Sequence, residues 1–283
     1  MRFLARRCLR IFPGLAGCVL LTTLVLGPMV TTLPLKQYLT HPVTWGYLDN
    51  LYLYITFGLP GVFEGNRFPG AVNGSLWSLP AEFAMYLLLA LAGFIRSPRV
   101  AWAFIAVGLM ALSALWAART DDVLVFYRTD LRQVVLCGVF FWVGAVYQRY
   151  GVERFFSLAN VCLAMFIWLA STRWPTAFMI VSWFVLPFVT LAFGLASSRW
   201  LAHLTHYDYS YGIYIYAFPI QQVLSMVWPV MNVWLHVALA VLLTTVCAAV
   251  SWHWVESQAL KLKPRQRRAL RLSGEAGSSR PAS

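Results

Sequence analysis

The chain has 283 residues, of which 60% are apolar or aromatic and 11% are Asp, Glu, Lys or Arg. Soluble domains have about 25% charged residues, and one of this length cannot bury so much apolar surface in a single core. The composition therefore excludes a soluble domain and a disordered chain. The net charge of +12 does not indicate nucleic-acid binding, because the basic residues form short clusters between apolar runs, where they orient a protein in a bilayer.

The charge-free runs predict an all-α transmembrane bundle of about eight helices. A helix needs about 20 apolar residues to cross the hydrocarbon core. Ile11–Leu35 has 25 residues without a charge, and Tyr209–Val255 has 47, which is enough for two crossings. Tyr47–Phe57 is too short and is expected to lie at the outer interface. The predicted crossings are Ile11–Leu33, Leu79–Ile95, Val100–Ala118, Gln133–Tyr147, Phe155–Ser171, Ala177–Ser197, Tyr209–Trp228 and Trp234–Val255.

The distribution of Lys and Arg predicts that both termini are cytosolic. With the N-terminus inside, 16 of the 22 Lys and Arg residues are cytosolic, as the positive-inside rule requires. Residues 1–260 are the predicted membrane domain, and 261–283 are expected to be a basic, disordered cytosolic tail. A signal peptide is the alternative for the N-terminus, although the apolar run exceeds the usual length of about 7–15 residues. The five cysteines have no Cys-x-x-Cys spacing, so neither a metal site nor a disulfide framework is predicted.

Glu82 is the clearest polar residue in a predicted crossing. Pro80 suits the first turn of a helix, so Glu82 is expected in that same turn, at the outer end of the second crossing. One interpretation is a carboxylate favoured by the helix dipole. The functional interpretation is a carboxylate that faces a cavity in the bundle and orients a base or binds a hydroxyl.

Arg7 and Arg10 are three residues apart and therefore share a face of the first helix. They lie at the predicted cytosolic mouth, on the opposite side of the membrane from Glu82. Two guanidinium groups in this arrangement can bind phosphate, although a topology signal alone uses the same residue type.

The seventh predicted crossing is more polar than a lipid-facing helix needs. Asp208 precedes it and is predicted to cap its N-terminus. Tyr211 and Tyr214, followed by Gln221 and Gln222, are expected to line a cavity inside the bundle.

Four motifs in this order resemble the membrane-bound acyltransferase family 3, which O-acylates surface polysaccharides, lipids and related extracytoplasmic acceptors. The motifs are Arg7-x-x-Arg10-Ile11-x-Pro13, then Asn73-Gly74-Ser75-Leu76-Trp77-Ser78-Leu79-Pro80-Ala81-Glu82-Phe83 with Tyr86, then Phe140-Phe141-Trp142-Val143-Gly144-Ala145, and last Tyr209-Ser210-Tyr211-Gly212-Ile213-Tyr214 with Phe218-Pro219 and Glu256.

The resemblance implies an integral protein of a bacterial inner membrane that binds no cofactor. Its donor substrate is cytosolic acyl-CoA, and the acyl group, most simply acetyl, passes to a hydroxyl of a glycan or lipid on the far side. Arg7 and Arg10 match the pair thought to engage the donor phosphates, and Glu82 matches an acidic residue with a supporting catalytic role. The implied acceptor or cavity-lining residues are Asn73, Ser75, Trp77, Tyr86, Tyr211 and Tyr214.

The chain departs from the family pattern at its start. Relatives have two further spans before Arg-x-x-Arg, and the first of them carries a His that serves as the base. None of the histidines in this chain (His41, His203, His206, His236 and His253) stands in a matching motif. We expect that the start lies inside a longer gene, although a shortened member that is inactive or needs another subunit is the alternative. In-frame translation of the upstream DNA distinguishes the two.

Two other function classes compete with the transferase. One is a non-enzymatic carrier or flippase for a lipid-linked glycan, because polar residues facing a central cavity serve transport as well as catalysis. The other is a scaffold remnant of a truncated gene that binds no ligand. The sequence does not predict an oligomeric state.

Overall fold

The computed structural model describes residues 2–93, 98–117, 124–200 and 207–262. Within these ranges, each predicted crossing corresponds to a helix. The α-helices are α1 (Arg2–Leu21), α2 (Gly27–Val30), α3 (Leu35–Thr40), α4 (Pro42–Gly46), α5 (Ser78–Ala92), α6 (Pro98–Ala117), α7 (Leu131–Tyr150), α8 (Leu158–Ser171), α9 (Pro175–Trp200), α10 (Ser210–Val227), α11 (Val233–Ser251) and α12 (Ser257–Lys261). The predicted tail from residue 263 onward lies outside the described residues.

The protein is an integral membrane protein, and its described residues are mostly helical with almost no strand, which confirms the predicted fold class. Among the described residues, 5 helical segments are long and apolar enough to cross a membrane. They are Phe3–Val30, Gly74–Ala92, Leu131–Tyr150, Pro175–Ala196 and Val233–Lys261. Trp102–Trp116 and Leu158–Ser171 are apolar but shorter. The count of eight crossings and the orientation therefore stay predictions.

The first long helix contains a widened turn with an identifiable cause. A π-helical turn, Thr22–Leu26, joins α1 to α2 without a break. Tyr38 is fully buried against it and donates a hydrogen bond to the Thr23 carbonyl oxygen at 2.8 Å. A Cβ atom on Gly27 would come within 1.9 Å of the Tyr38 hydroxyl. An inserted side chain is a known cause of helix distortion, and Gly27 leaves the space that Tyr38 occupies.

Residues 31–73 form short helices and irregular chain that pack against α1 and α10. The 3-10 helix Tyr47–Tyr52 is the longest ordered piece of the segment that the sequence analysis placed at the interface. Buried Asn50 holds the following chain, because its Nδ2 donates to the carbonyl oxygens of Tyr47 and Thr56 at 2.7 and 2.9 Å. The segment contains no helix long enough to cross a membrane.

A small hairpin and two further turns lie in the second half of the described chain. Strands β1 (Val125–Phe126) and β2 (Thr129–Asp130) are antiparallel. Their two turn residues, Tyr127 and Arg128, have φ of 51° and 53°, which is the backbone of the tight turns that join hairpin strands. A 3-10 helix, Val152–Phe155, follows α7, and a π-helical turn, Trp252–Glu256, joins α11 to α12.

Helix α1 contacts α5, α10 and the π-helical turn and α12 that continue α11, while α10 packs on α11 and α5 packs on α7. Helix α7 also contacts α6 and α9, and α8 packs on α9. The contact between α10 and α11 is close, because a Cβ atom on Gly212 would lie 2.9 Å from the Cα atom of Ala248. Helices α1, α5 and α10 thereby surround the polar residues of the candidate site.

Candidate active site

Glu82 is connected to Arg7 through one tyrosine side chain. Tyr86 is one turn after Glu82 on α5, and its hydroxyl donates a hydrogen bond to Glu82 Oε1. The guanidinium carbon of Arg7 lies 4.8 Å from the centre of the same tyrosine ring and 5.5 Å from the ring of Phe3. Such a cation over a ring face is attracted by the ring quadrupole. The ring therefore contacts the cation while its hydroxyl contacts the carboxylate.

This geometry corrects two expectations for Glu82. Helix α5 begins at Ser78, two residues before Pro80, and a 3-10 helix, Gly74–Trp77, precedes it. Glu82 consequently lies beyond the first turn, where the helix dipole has little effect. Glu82 and Arg7 were also expected on opposite sides of the membrane. Because α5 runs antiparallel to α1, with Phe83 against Phe12 at 5.6 Å between ring centres, the two charged residues lie near each other.

Arg10 forms an ion pair with a residue distant in sequence. Its Nη2 lies 2.5 Å from Asp208 Oδ2, and Asp208 Oδ1 accepts a hydrogen bond of 2.6 Å from the Ser210 hydroxyl. Partial burial alone would raise the pKa of Asp208, but hydrogen bonds from Ser210 and Arg10 outweigh burial and hold the pKa below its usual value. The predicted capping of α10 by Asp208 is a long contact of 3.4 Å to the Ser210 N–H. The ion pair fixes α1 against the start of α10.

The two arginines therefore use different neighbours. Arg7 faces α5 through Tyr86, whereas Arg10 faces α10 through Asp208. Although the two arginines are close together on one helix, their guanidinium groups do not form one preformed phosphate-binding site. Each guanidinium retains further N–H donors.

A second group of polar side chains joins the start of α5 to α10. The Tyr214 hydroxyl lies 2.6 Å from Ser78 Oγ and donates to the Ser75 carbonyl oxygen. Asn73 is buried, caps the 3-10 helix by accepting from the Ser75 N–H at 3.1 Å, and donates to the Ile215 carbonyl oxygen at 2.8 Å. These bonds hold the loop that precedes α5 against α10.

A third group lies where α1 meets α10 and α11. The Tyr211 hydroxyl donates to the Ile11 carbonyl oxygen at 2.8 Å. Glu256 is 3% exposed, and its Oε1 accepts from Ser251 at 3.0 Å. A Cβ atom on Gly14 would lie 2.8 Å from the Tyr211 ring and 3.3 Å from the carboxyl carbon of Glu256. Gly14 thus allows α1 to approach both polar side chains closely.

Two groups of polar residues lie along one face of α5, because Ser78, Glu82 and Tyr86 are successively four residues apart. We call them together the polar column; they are Arg7, Tyr86 and Glu82 in one group and Ser78, Tyr214 and Ser75 in the other. Of the other residues singled out in the sequence, Asn73 and Tyr211 border it through the bonds given above. Trp77 is 37% exposed and forms no hydrogen bond with other described residues. Trp142, from the third motif, is buried among α5, α6 and α7.

Histidines and metal-binding groups are not part of the polar column among the described residues. His41 Nδ1 accepts from the Val43 N–H at 3.2 Å, and His253 Nδ1 lies 2.8 Å from the Ala249 carbonyl oxygen. His236 lines a cavity elsewhere, and His203 and His206 lie outside the described residues. Within the described part of the chain, no group of three His, Cys, Asp or Glu residues is placed to hold a metal ion.

Sequence reasoning missed the partners of both arginines. Asp208 was interpreted only as a cap, and at a separation of 198 positions in the sequence nothing indicates that it pairs with Arg10. The Tyr86–Glu82 contact could have been predicted, because side chains four residues apart on a helix are neighbours.

Comparison with known proteins identifies relatives of the chain. A family model described as an acyltransferase domain matches residues 1–253. A protein of Shigella phage Sf6, described as an O-acetyl transferase, is 27% identical over an alignment of 265 residues that covers 91% of this chain and 77% of that protein. No solved structure matches the chain.

Proposed function

The chain belongs to acyltransferase family 3 and is an acyltransferase, and from this premise we propose its substrates and the direction of transfer. The donor is cytosolic acyl-CoA, and the acceptor is a hydroxyl of an extracytoplasmic glycan or lipid. The name of the phage relative, O-acetyl transferase, supports acetyl as the transferred group and oxygen as the acceptor atom. The membrane is the bacterial inner membrane, with the N-terminus in the cytosol.

The polar column is the observation that carries this proposal. It extends along one face of α5 from Arg7 on α1 to Ser75 and Tyr214 where α5 meets α10. Charged and hydroxyl groups are expensive within a membrane and mark substrate pathways. A line of polar residues through the helices suits a reaction whose donor and acceptor approach from opposite sides of the membrane.

The arginines are the proposed donor site. Acyl-CoA carries phosphates, and guanidinium groups bind phosphate through strong, charge-assisted hydrogen bonds. The Asp208 carboxylate holds one edge of Arg10 in place, and the Tyr86 ring supports Arg7. Both guanidiniums are thus oriented before the donor arrives, which lowers the ordering cost of binding.

The reaction itself is an attack by the acceptor oxygen on the thioester carbonyl carbon. The carbon–sulfur bond breaks, the hydroxyl proton passes to a base, and the leaving thiolate takes up a proton to become the CoA thiol. Glu82, held by Tyr86, orients that base or the acceptor hydroxyl. None of the three described histidines hydrogen-bonds to a residue of the polar column, so the base is not assigned to them.

The test replaces Arg7 and Arg10 with Lys. Lysine keeps the charge that orients the helix in the membrane but lacks the planar guanidinium fork. We expect the double variant to bind acyl-CoA at least about tenfold more weakly, since one or two strong hydrogen bonds are lost. Arg154→Lys is the matched control, because Arg154 also lies over an aromatic ring, 4.9 Å from that of Phe155.

Two results contradict the proposal. Acyl-CoA binding by the double Lys variant at the parental affinity would exclude the arginines as the donor site. Movement of a lipid-linked glycan across the membrane by the parent, without any acyl exchange, would favour the carrier instead.

A further inference from the structure

A groove of about 530 Å³ lies where α5 and α7 begin, under the hairpin of β1 and β2. We call it the α5–α7 groove; its walls include residues 80–87 of α5 and residues 131–134 of α7. Both helices belong to segments long and apolar enough to cross a membrane. Leu87 is 42% and Phe126 69% exposed, so the groove is open on the outer surface of the bundle. Along α5 it extends for about 10 Å from the helix start toward the middle of the membrane.

The α5–α7 groove has a polar entrance and an apolar interior. Among the described residues that line it, only Tyr52, Tyr127 and Thr129 have polar side-chain groups. All three belong to the hairpin or to the neighbouring 3-10 helix, Tyr47–Tyr52. The Tyr127 hydroxyl donates to the Tyr52 carbonyl oxygen at 2.9 Å and holds the hairpin against that helix. Tyrosines at the ends of crossing helices are typical of the headgroup region.

A cation without a carboxylate partner stands beside this entrance. The guanidinium carbon of Arg128 lies 4.2 Å from the centre of the Tyr54 ring, and its Nη1 donates to the Thr56 hydroxyl at 2.6 Å. The Tyr54 ring in turn lies 5.0 Å from the ring of Tyr127, which lines the groove. Arg128 is exposed and forms no ion pair with another residue that the structure describes. Its remaining N–H groups are oriented and available to an anion.

The turn that carries Tyr127 and Arg128 has a backbone that neither residue type favours. With φ of 51° and 53°, these are positions at which tight hairpin turns prefer Asn and Gly. A left-handed backbone at other residues has an energetic cost and is found where surrounding contacts hold it, often at ligand clamps. Here the contacts of Tyr127 with Tyr52 and of Arg128 with Thr56 hold it. The turn thus places a tyrosine and an unpaired cation beside an apolar groove.

An apolar groove with a cation at its entrance complements a phospholipid. We propose that the α5–α7 groove binds one acyl chain of an anionic phospholipid and that Arg128 binds its phosphate. Transfer of the chain from the bilayer gains little, because both surroundings are apolar. Selectivity therefore comes from the headgroup, as at other basic sites beside crossing helices.

The size of the groove and its lining exclude two other occupants. A helix with its side chains is about 10–12 Å wide, so a 10 Å length of it occupies about 800–1,100 Å³, more than the groove holds. No residue that lines the groove belongs to the polar column. The lipid is therefore neither donor nor acceptor, and this inference goes beyond the proposed function.

The test measures lipid binding to the detergent-purified protein by native mass spectrometry. Phosphatidylglycerol has a net negative headgroup, whereas phosphatidylcholine has the same phosphate with a compensating ammonium group. We expect the parent to bind phosphatidylglycerol more tightly than phosphatidylcholine with the same chains. Arg128→Gln should weaken phosphatidylglycerol binding about fivefold, the usual effect of one basic residue near a membrane surface. Arg128→Lys keeps the charge and should retain part of the affinity.

A second variant tests the chain-binding part of the site, and each variant has a matched control. Leu87→Trp fills the groove and should also weaken phosphatidylglycerol binding. Leu91 lies one turn further along α5, is 64% exposed and does not line the groove, so Leu91→Trp should bind as the parent does. Arg154→Gln removes the same charge from an arginine that lies over the Phe155 ring and should likewise have no effect.

Four results would overturn the assignment. The first is equal binding of the two lipids by the parent. The second is parental phosphatidylglycerol binding in Arg128→Gln or in Leu87→Trp. The third is the same loss in Arg154→Gln as in Arg128→Gln, which would indicate attraction to the net charge alone. The fourth is displacement of the lipid by glycerol 3-phosphate, which would indicate a site for free phosphate.

The mass of the bound lipid separates this site from a substrate site. Addition of acetyl-CoA should leave the mass of the bound phosphatidylglycerol unchanged, and gain of an acetyl group would make the lipid an acceptor and contradict the proposal. Acyl-CoA binding by Arg128→Gln should equal that of the parent, because Arg128 contacts no residue of the polar column. Lipid binding that depends on Arg128 in a protein that binds no acyl-CoA would refute the proposed donor and leave the lipid site in place.

Discussion

Replacement of Glu82 by Gln separates a structural role of this carboxylate from a functional one. The substitution keeps the shape of the side chain and an oxygen that can accept from the Tyr86 hydroxyl, but it removes the charge. A hydrogen bond to a charged group contributes about 1.5–3 kcal/mol and a neutral one about 0.5–1.5 kcal/mol. The expected loss of stability is therefore about 1 kcal/mol.

The expected loss of activity is larger. If Glu82 orients the base or the acceptor hydroxyl, its charge is used in proton transfer, which typically contributes about 10²–10⁴-fold in rate. At 1.36 kcal/mol for each factor of ten, this corresponds to about 3–5 kcal/mol in the activation free energy. Stability is measured by thermal unfolding of the purified protein, and activity by transfer of radiolabelled acyl groups in membranes. The gene is expressed with its upstream region, so that any further coding sequence is retained.

Tyr86→Phe is the matched variant for this experiment. It removes the hydroxyl that donates to Glu82 while leaving the carboxylate and the ring that lies under Arg7. We expect it to cost as much stability as Glu82→Gln but far less activity. Near-parental turnover in the Glu82→Gln variant would refute the catalytic role. An equal loss of activity in both variants would show that the hydrogen bond, and not the charge, is what matters. Glu153→Gln changes an exposed glutamate and should affect neither quantity.

Three further predictions follow from the helix contacts, the ion pair and the charge distribution. Gly212→Ala should destabilise the protein by about 1–3 kcal/mol, because its Cβ would meet the Ala248 backbone; Gly144→Ala, where nothing lies within 4 Å, should not, and equal melting temperatures would contradict this. Since the folded pKa of Asp208 is lowered from 3.8, its contribution to stability is present above about pH 4 and is lost as the pH falls through the folded pKa. The melting temperature of the parent should therefore fall more steeply below pH 4 than that of Asp208→Asn, and parallel curves would be the contrary result. A reporter fused after Lys263 should be cytosolic, and an extracytoplasmic signal would reverse the predicted orientation.

The helices could be predicted from the sequence because insertion into a membrane depends on local composition. Long charge-free runs such as Tyr209–Val255 must be helical in a bilayer, since only a helix satisfies the backbone of a single segment there. The start of α5 was harder to predict from the sequence. Pro80 pointed to a first turn at that position, but Asn73 caps an earlier 3-10 helix, and its side-chain bonds extend to Ile215 on another helix.

The contacts of the site could not be predicted because they depend on which helices are neighbours. All the predicted crossings are apolar, so hydrophobicity does not specify their order in the bundle. The Arg10–Asp208 pair and the ring of Tyr86 under Arg7 require α1 to lie between α5 and α10. The adjacent Gln221 and Gln222 were one sequence signal, but the chain that Gln222 holds through the carbonyl oxygens of Phe68 and Ala71 is irregular and carries no periodic pattern.

The close approach of Gly212 to Ala248 determines which parts of this protein can move independently. Because the two backbones touch there, α10 and α11 cannot slide past each other without a clash and behave as one rigid hairpin. Tyr214 belongs to that hairpin, whereas Ser75 and Ser78 belong to the start of α5. Movement of the hairpin away from the start of α5 therefore has to break the Tyr214 hydrogen bonds to Ser75 and Ser78 and the bond from Asn73 to the Ile215 carbonyl oxygen.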